Sequence, residues 1–332
     1  MTQTSNPTQS DLSLAREEDQ VFFEREIKSF LPDKVFDAHM HLWPDDPDGW
    51  SFDEMPPDIG LGEYQSFIED LHPGRNCGAM VLPAVHGNTK RASQFVSDQI
   101  TNKPSYRGAM FISPGDDPQW VQQEVRRLGL HGLKCYHLSA NVEPTWEADI
   151  PDYLPESFVK IADEEGLVIT LHMVKSRSVA DPSNIHWIRH YCETYPNMKL
   201  ILAHSARGFQ PAHNLEGLPQ LTGLDNLYFD TSANCEPIAH EAIIRIIGHD
   251  KLMYGSDFPV SHMRGRSLSA GDSSIWLYAD TPVWNPAYGK VPPVLIGLEH
   301  IRSLKWACWS QKLGNSAVED IFYNNAARLF GL

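Results

Sequence analysis

The sequence predicts a (β/α)8 barrel, the TIM architecture, with an added N-terminal helix, a long loop after the eighth strand and C-terminal helices. Three observations lead there. Eight short, apolar, β-rich runs alternate with segments of helical spacing. Such alternation implies parallel strands joined by right-handed crossovers. Polar, chemistry-bearing residues collect where the runs end, as they do on the C-terminal rim of barrel strands. An open doubly wound sheet is the competing topology. It often carries a glycine-rich loop at its switch point, and no G-x-G-x-x-G occurs in this chain.

Taken in order, residues 1 to about 12 are polar and read as disordered. "LAREEDQVFFEREIKSFLP" then has helical spacing and ends at Pro32. The strand runs are "KVFDAHMHL" (34–42), "CGAMVLPAV" (77–85), "YRGAMFISP" (106–114) and "HGLKCYHL" (131–138). They continue as "LVITLHM" (167–173), "KLILAHSA" (199–206), "LYFDTSA" (227–233) and "KLMYGSDFP" (251–259). Helical segments fall between them, the weakest being "FQPAHNLEGLPQLTG", and two more follow near 295–313 and 315–330. Residues 261–294 show no clear periodicity but hold Trp276, Tyr278, Trp284 and Tyr288, with Arg264 and Arg266 near the start. A loop of that length with aromatic content reads as a lid over the barrel mouth. The alternative is an excursion packed on the outside of the barrel.

Composition bounds the function. Of 332 residues, 42% are hydrophobic and 21% charged, normal for a chain that buries a core. With 27 basic and 43 acidic residues the net charge is −16, which argues against a nucleic-acid partner. The five cysteines, without a C-x-x-C pair, read as reduced thiols of a cytoplasmic protein, not a zinc cage. No apolar leader and no run of 18 apolar residues is visible, so neither a signal peptide nor a membrane span is expected.

The rim carries the chemistry. "VFDAHMHLW" places His39 and His41 two apart, hence on one face of a strand. Alone, that pattern is as well met by one core and one exposed histidine. Strand five adds His172, strand six His204 and strand eight Asp257, with Lys134 near the end of strand four. Together the histidines and the aspartate form a nitrogen and oxygen donor set suited to zinc or a similar divalent ion. Asp37 and Asp230 could orient these ligands by hydrogen bonds. Arg207, three residues past His204, suits a carboxylate or phosphate, although pairing with Asp230 would equally explain it. Tyr136, His86, His262, Arg264 and Arg266 are further candidates to line the pocket. Trp43 reads as a pocket wall or a packing residue, and His186, His190 and His240 as surface or outer-layer residues on helices.

The motifs "DAHMHLW", "GLKCYH", "TLHM", "LAHSARG", "YFDTSA", "YGSDFP" and the terminal "FYNNAARLFGL" resemble those of the amidohydrolase superfamily. They are most similar to its amidohydrolase-related branch, which includes aminocarboxymuconate semialdehyde decarboxylase and sugar and dicarboxylate lactonases. The resemblance implies that residues 13–332 are one metal-dependent hydrolase barrel. It implies His39, His41, His172 and Asp257 as ligands of one divalent ion, zinc or alternatively manganese. Asp257 would also shuttle protons, and His204 would orient water, polarise the substrate or hold a second metal. Lys134 would either be carboxylated between two metals, as in dihydroorotases, or pair with a substrate carboxylate. The implied activity is hydrolysis of an ester, lactone or amide in a small anionic molecule. Non-oxidative decarboxylation or hydration of an unsaturated acid is the alternative, and a homodimer is a possible assembly.

Overall fold

The computed structural model describes residues 12–281 and 293–332. Eight parallel strands follow one another around a sheet in chain order: β1 Lys34–Leu42, β2 Asn76–Pro83, β3 Tyr106–Phe111, β4 Gly132–Cys135, β5 Val168–Leu171, β6 Lys199–Leu202, β7 Leu227–Asp230 and β8 Leu252–Met253. The segment after β8 closes the ring against β1. Ala38 N donates to Tyr254 O (2.8 Å), Asp257 N to His39 O (2.7 Å) and His41 N to Phe258 O (3.0 Å). The barrel is therefore a (β/α)8 TIM barrel, with helices between successive strands.

The helices end for local reasons. Helix Pro118–Leu128 starts with Asp117 accepting from Gln119 N and a proline in its first turn, and stops at Gly129 with φ 62°. Helix Glu156–Glu165 stops likewise at Gly166. "FQPAHNLEGLPQLTG" forms one helix, Pro211–Gly217, and a 3-10 turn, Leu218–Leu221.

Phe36, Ala38, Met80, Leu82, Ala109, Val168, Ile201 and Met253 fill the barrel interior. Phe330 of the last helix closes its floor, 5.4 Å from the Phe36 ring. A second apolar layer lies between the strands and the helices. Together they leave the upper end of the barrel to polar groups.

A bulge decides which residues point there. In the β1–β2 register Asp37 faces Ala79, but Met40 faces Val81. Two residues of β1, Ala38 and His39, thus oppose one of β2 and the alternation slips by one. Phe36 and Ala38 can face the core below while His39 and His41 line the hollow above.

The stretch after β8 departs from the expectation of an aperiodic loop. It contains a β-hairpin, β9 Gly265–Ala270 and β10 Ser273–Tyr278. The two-residue turn Gly271-Asp272, with Gly271 at φ 59°, is a favoured hairpin turn flanked by alternating residues. Its tip is strapped down: Asp272 meets Arg177 at 2.9 Å and His213 at 3.0 Å. Trp276 packs edge-on to Phe209 at 5.4 Å, so the hairpin abuts one flank of the site. Trp284, Tyr288 and residues 1–11 lie outside the described residues.

Candidate active site

A hollow of about 210 Å3 opens at the C-terminal end of the strands. His39, His41, Lys134, Tyr136, His172, His204 and Asp257 line it, with His86, Trp50 and Phe52 among its walls. It is smaller than the roughly 300–1,000 Å3 usual for a drug-sized ligand, which limits it to a small molecule.

The donor atoms of His39, His41 and Asp257 all lie within 4.8 Å of one another. Both rings are aimed from behind. His39 Nδ1 lies 2.9 Å from the Asp230 carboxylate and His41 Nδ1 lies 2.9 Å from the Pro83 carbonyl. Those partners accept, so each Nδ1 carries the hydrogen and each Nε2 presents a lone pair. The two Nε2 atoms stand 3.4 and 3.9 Å from Asp257 Oδ1. Outward-held protons and inward lone pairs are what a divalent cation requires of two histidines.

Asp230 is the hub. It accepts from His39, from His204 N at 2.9 Å, from Ser232 N at 3.1 Å and from Ser232 Oγ. Burial alone would push its carboxyl up, but the charges and hydrogen bonds of His39, His204 and Ser232 outweigh it and hold it well below the usual carboxylate range. Asp37 acts differently from the expectation of a ring-orienting group. It accepts from His39 N, Ser256 N and Tyr64 Oη, and so pins β1 to the loop that carries Asp257. Gly255 of that loop packs so closely that a Cβ there would stand 2.9 Å from His39 Cβ.

His204 and Asp257 occupy strained backbone. His204, Ser205, Ala206 and Arg207 all have φ between 53° and 58°, and Asp257 has φ 58°. Left-handed residues other than glycine cost about 1–2 kcal/mol each, so the surroundings must hold them. Asn234 Nδ2 donates to His204 O (3.0 Å), Asn214 Nδ2 to Ser205 O (2.8 Å) and Asp230 grips His204 N. The turn explains why β6 stops at Leu202, four residues short of the sequence expectation. It carries His204 over the hollow, where His172 Nδ1 meets His204 Nε2 at 3.1 Å. His172 thus lines the hollow without joining the three-donor cluster.

Lys134 is buried, with 1% of its surface exposed. Among the described residues no hydrogen bond or ion pair reaches its ammonium, and burial pushes its pKa down against the pull of Cys135, Asp257 and Asp230. Tyr136 packs on His172 at 4.9 Å, and His86 stands 6.1 Å from Trp50.

Other candidates lie elsewhere. Arg264 does not reach the hollow: it pairs with buried Asp19 at 2.6 Å and donates to Leu14 O, clasping the N-terminal helix. Arg266 is also turned away, donating to Cys235 O and facing Glu299 at 3.6 Å. Their side chains fasten the hairpin base, which sequence spacing could not distinguish from reaching inward. Arg264→Ala is therefore expected to cost about 3–5 kcal/mol in stability by leaving Asp19 unpaired, with KM unchanged; denaturant unfolding and steady-state kinetics check it. Arg207 borders a neighbouring hollow instead, and among the described residues its guanidinium pairs with neither Asp230 nor any other carboxylate. His262 Nε2 donates to Phe67 O at 2.7 Å in the layer behind β8, and Trp43 stacks against Phe258. His240 lies in the outer layer, on helix Pro237–Ile246, where it is buried and bonds Ser205 Oγ at 2.8 Å. Sequence reasoning passed over Trp50, Phe52 and Ser232; Trp50 and Phe52 lie in "DGWSFDE", which has no periodicity to draw attention.

Buried histidines set the acid response. Burial holds His41, His172 and His300 well below the usual imidazole value and brings His72 and His204 to about 3. Unfolded, each titrates near 6.5, so below that pH the unfolded chain binds more protons and stability falls. Asp37 and Asp257, raised by burial to about 6, oppose this between pH 6 and about 4, because there the folded chain binds more protons. The histidines outnumber them. The melting temperature of metal-stripped protein is expected to drop steadily from pH 6.5 to 5; a flat or rising profile contradicts the assignment.

Comparison with known proteins agrees with the barrel fold. The family profile described as amidohydrolase matches residues 36–332. A zinc-bound amidohydrolase from Burkholderia multivorans is 15% identical, with TM-score 0.57, covering 90% of this chain and 99% of its own. A probable 2-pyrone-4,6-dicarboxylic acid hydrolase from Acinetobacter baumannii, with citric acid bound, is 14% identical with TM-score 0.56, over 90% and 99%. 5-Carboxyvanillate decarboxylase from Sphingomonas paucimobilis is 13% identical with TM-score 0.55, over 91% and 100%. No curated protein sequence matches the chain. Among the described residues no helix is long and apolar enough to cross a membrane.

Proposed function

Because the chain belongs to the amidohydrolase family, we propose that it is a metal-dependent hydrolase opening an ester, lactone or amide bond in a small carboxylate-bearing molecule. The convergence of His39, His41 and Asp257 beside the unpaired ammonium of Lys134 carries this reading. Two imidazole lone pairs and a carboxylate suit zinc first and manganese second. His172 is the fourth protein donor in this reading. One ion per chain is favoured, since the described residues gather one such donor group. When bound, the ion supplies Lewis acidity and makes water acidic enough to attack near neutral pH.

The chain's own groups do the rest. Asp257 takes the proton of the attacking water and passes it to the leaving group. His204, held neutral, orients water or polarises the scissile carbonyl. Lys134 holds the substrate carboxylate, since a buried ammonium without a partner gains most from an anion. Tyr136 and His86 border the bound molecule and Trp50 walls it.

The same ion and Lys134 would also hold a carboxylate for non-oxidative decarboxylation or hydration, and the solved relatives include both a probable hydrolase and a decarboxylase. A panel of lactones, esters, cyclic amides and unsaturated carboxylic acids, assayed with zinc- and manganese-loaded protein, separates the readings. Acid release without carbon dioxide supports hydrolysis; carbon dioxide release alone sinks it. For any carboxylated substrate, Lys134→Met is expected to raise KM about 10- to 100-fold, with a neutral analogue changed less than about twofold.

A further inference from the structure

A second hollow of about 120 Å3 lies beside the first, between the turn that carries His204 and the hairpin. Among the described residues that border it, Arg207 is the one full cation. The guanidinium is largely withdrawn from water, and burial pushes its pKa down to about 10. It lies 4.0 Å from the centroid of the Trp146 ring and donates to the Lys175 carbonyl at 3.1 Å. An arginine has five N–H donors, so most remain uncommitted. Among the described residues no carboxylate pairs with it; Asp272, at the hairpin tip, is committed to Arg177 and His213. Ser176, Ser178, Ser273 and Ser274 border the same hollow, and among the described residues no hydrogen bond engages their hydroxyls.

A desolvated cation without a counter-charge is costly. Arg264 and Arg177 show the usual solution, each being paired with aspartate. At Arg207 the protein supplies donors and a small space but no acceptor with charge. We infer that this hollow is an oxyanion-binding site, separate from the histidine hollow, that takes a carboxylate or phosphate group against Arg207 and the serine hydroxyls.

The site stands one side chain away from the proposed metal centre. Phe209 borders it and packs on His204 at 5.7 Å, while Trp146 packs on His137, itself 6.0 Å from His172. The oxyanion is either the distal group of a substrate seated in the histidine hollow, which rests on the function proposed above, or a free anion. Both use the same chemistry.

The test is a calorimetric titration of inorganic phosphate into the full chain after chelation, so its outcome does not depend on metal or turnover. Saturable binding is expected, weakened about tenfold or more by Arg207→Gln. Should that variant misfold in its strained turn, Ser274→Glu on the hairpin keeps Arg207, sets a carboxylate into the hollow and should weaken phosphate similarly. Lys134→Met should leave phosphate affinity within about twofold. Absence of saturable binding overturns the inference, as does binding that survives both Arg207→Gln and Ser274→Glu or is lost with Lys134→Met alone. Glutarate identifies the source. Weakening by both Lys134→Met and Arg207→Gln marks one ligand spanning the two hollows; weakening by Arg207→Gln alone marks a free anion, and either supports the site.

Discussion

Asp257→Ala is expected to lose bound metal and turnover together, with kcat/KM falling about 10^3-fold or more. The carboxylate faces both Nε2 atoms of the His39–His41 pair, and it is the proposed proton carrier. Because Asp257 N anchors the loop to His39 O through the backbone, the variant should stay folded. His172→Ala tests the fourth donor in the same assay. Elemental analysis beside steady-state kinetics reads both variants, and full metal content in both would sink the ligand assignment.

Asp230→Asn should be the most damaging substitution that touches no substrate. Asp230 fixes the tautomer of His39 and grips the backbone of His204, so one change loosens two site residues. Metal affinity should fall about 10- to 100-fold. Stability should fall by about 1.5–3 kcal/mol, because the His39 ring N–H and the His204 and Ser232 backbone N–H groups lose a charged acceptor. The pH dependence has a definite sign. A carboxyl held low in the folded state stabilises at every pH above its unfolded value near 4 and loses that contribution as pH falls below it. Wild type and Asp230→Asn should therefore differ in melting temperature at pH 7, and the gap should begin to narrow as pH falls below about 4. A constant gap would show that the charge of Asp230 does not act as described.

Much of this was legible in the chain because barrels repeat. Short apolar runs alternating with segments of helical spacing located all eight strands, and the polar endings of those runs located His39, His41, Lys134, His172, His204 and Asp257, which share one hollow. Three features were not legible, each for a physical reason. The β1 bulge is invisible because it changes register against β2 without changing the apolar pattern of β1. The left-handed turn at His204 contains no glycine; tertiary bonds from Asn214, Asn234 and Asp230 impose it. The arginines could not be placed because a long side chain at a loop start can reach inward or outward. Arg264 and Arg266 found partners in the N-terminal helix, the β7 loop and helix Ile296–Ser310, all distant in sequence. The hairpin was the avoidable miss, since "SLSAGDSSIWLY" carries a Gly-Asp turn between alternating residues.

The central claim is that β1, β5 and the segment after β8 build one divalent-metal site. Metal content of the purified full chain, measured by elemental analysis after chelation and re-addition of zinc or manganese, tests it most directly. The account predicts about one ion per chain, abolished in the His39→Ala, His41→Ala double variant. No tightly held ion under any loading, or undiminished metal in that double variant, would contradict it.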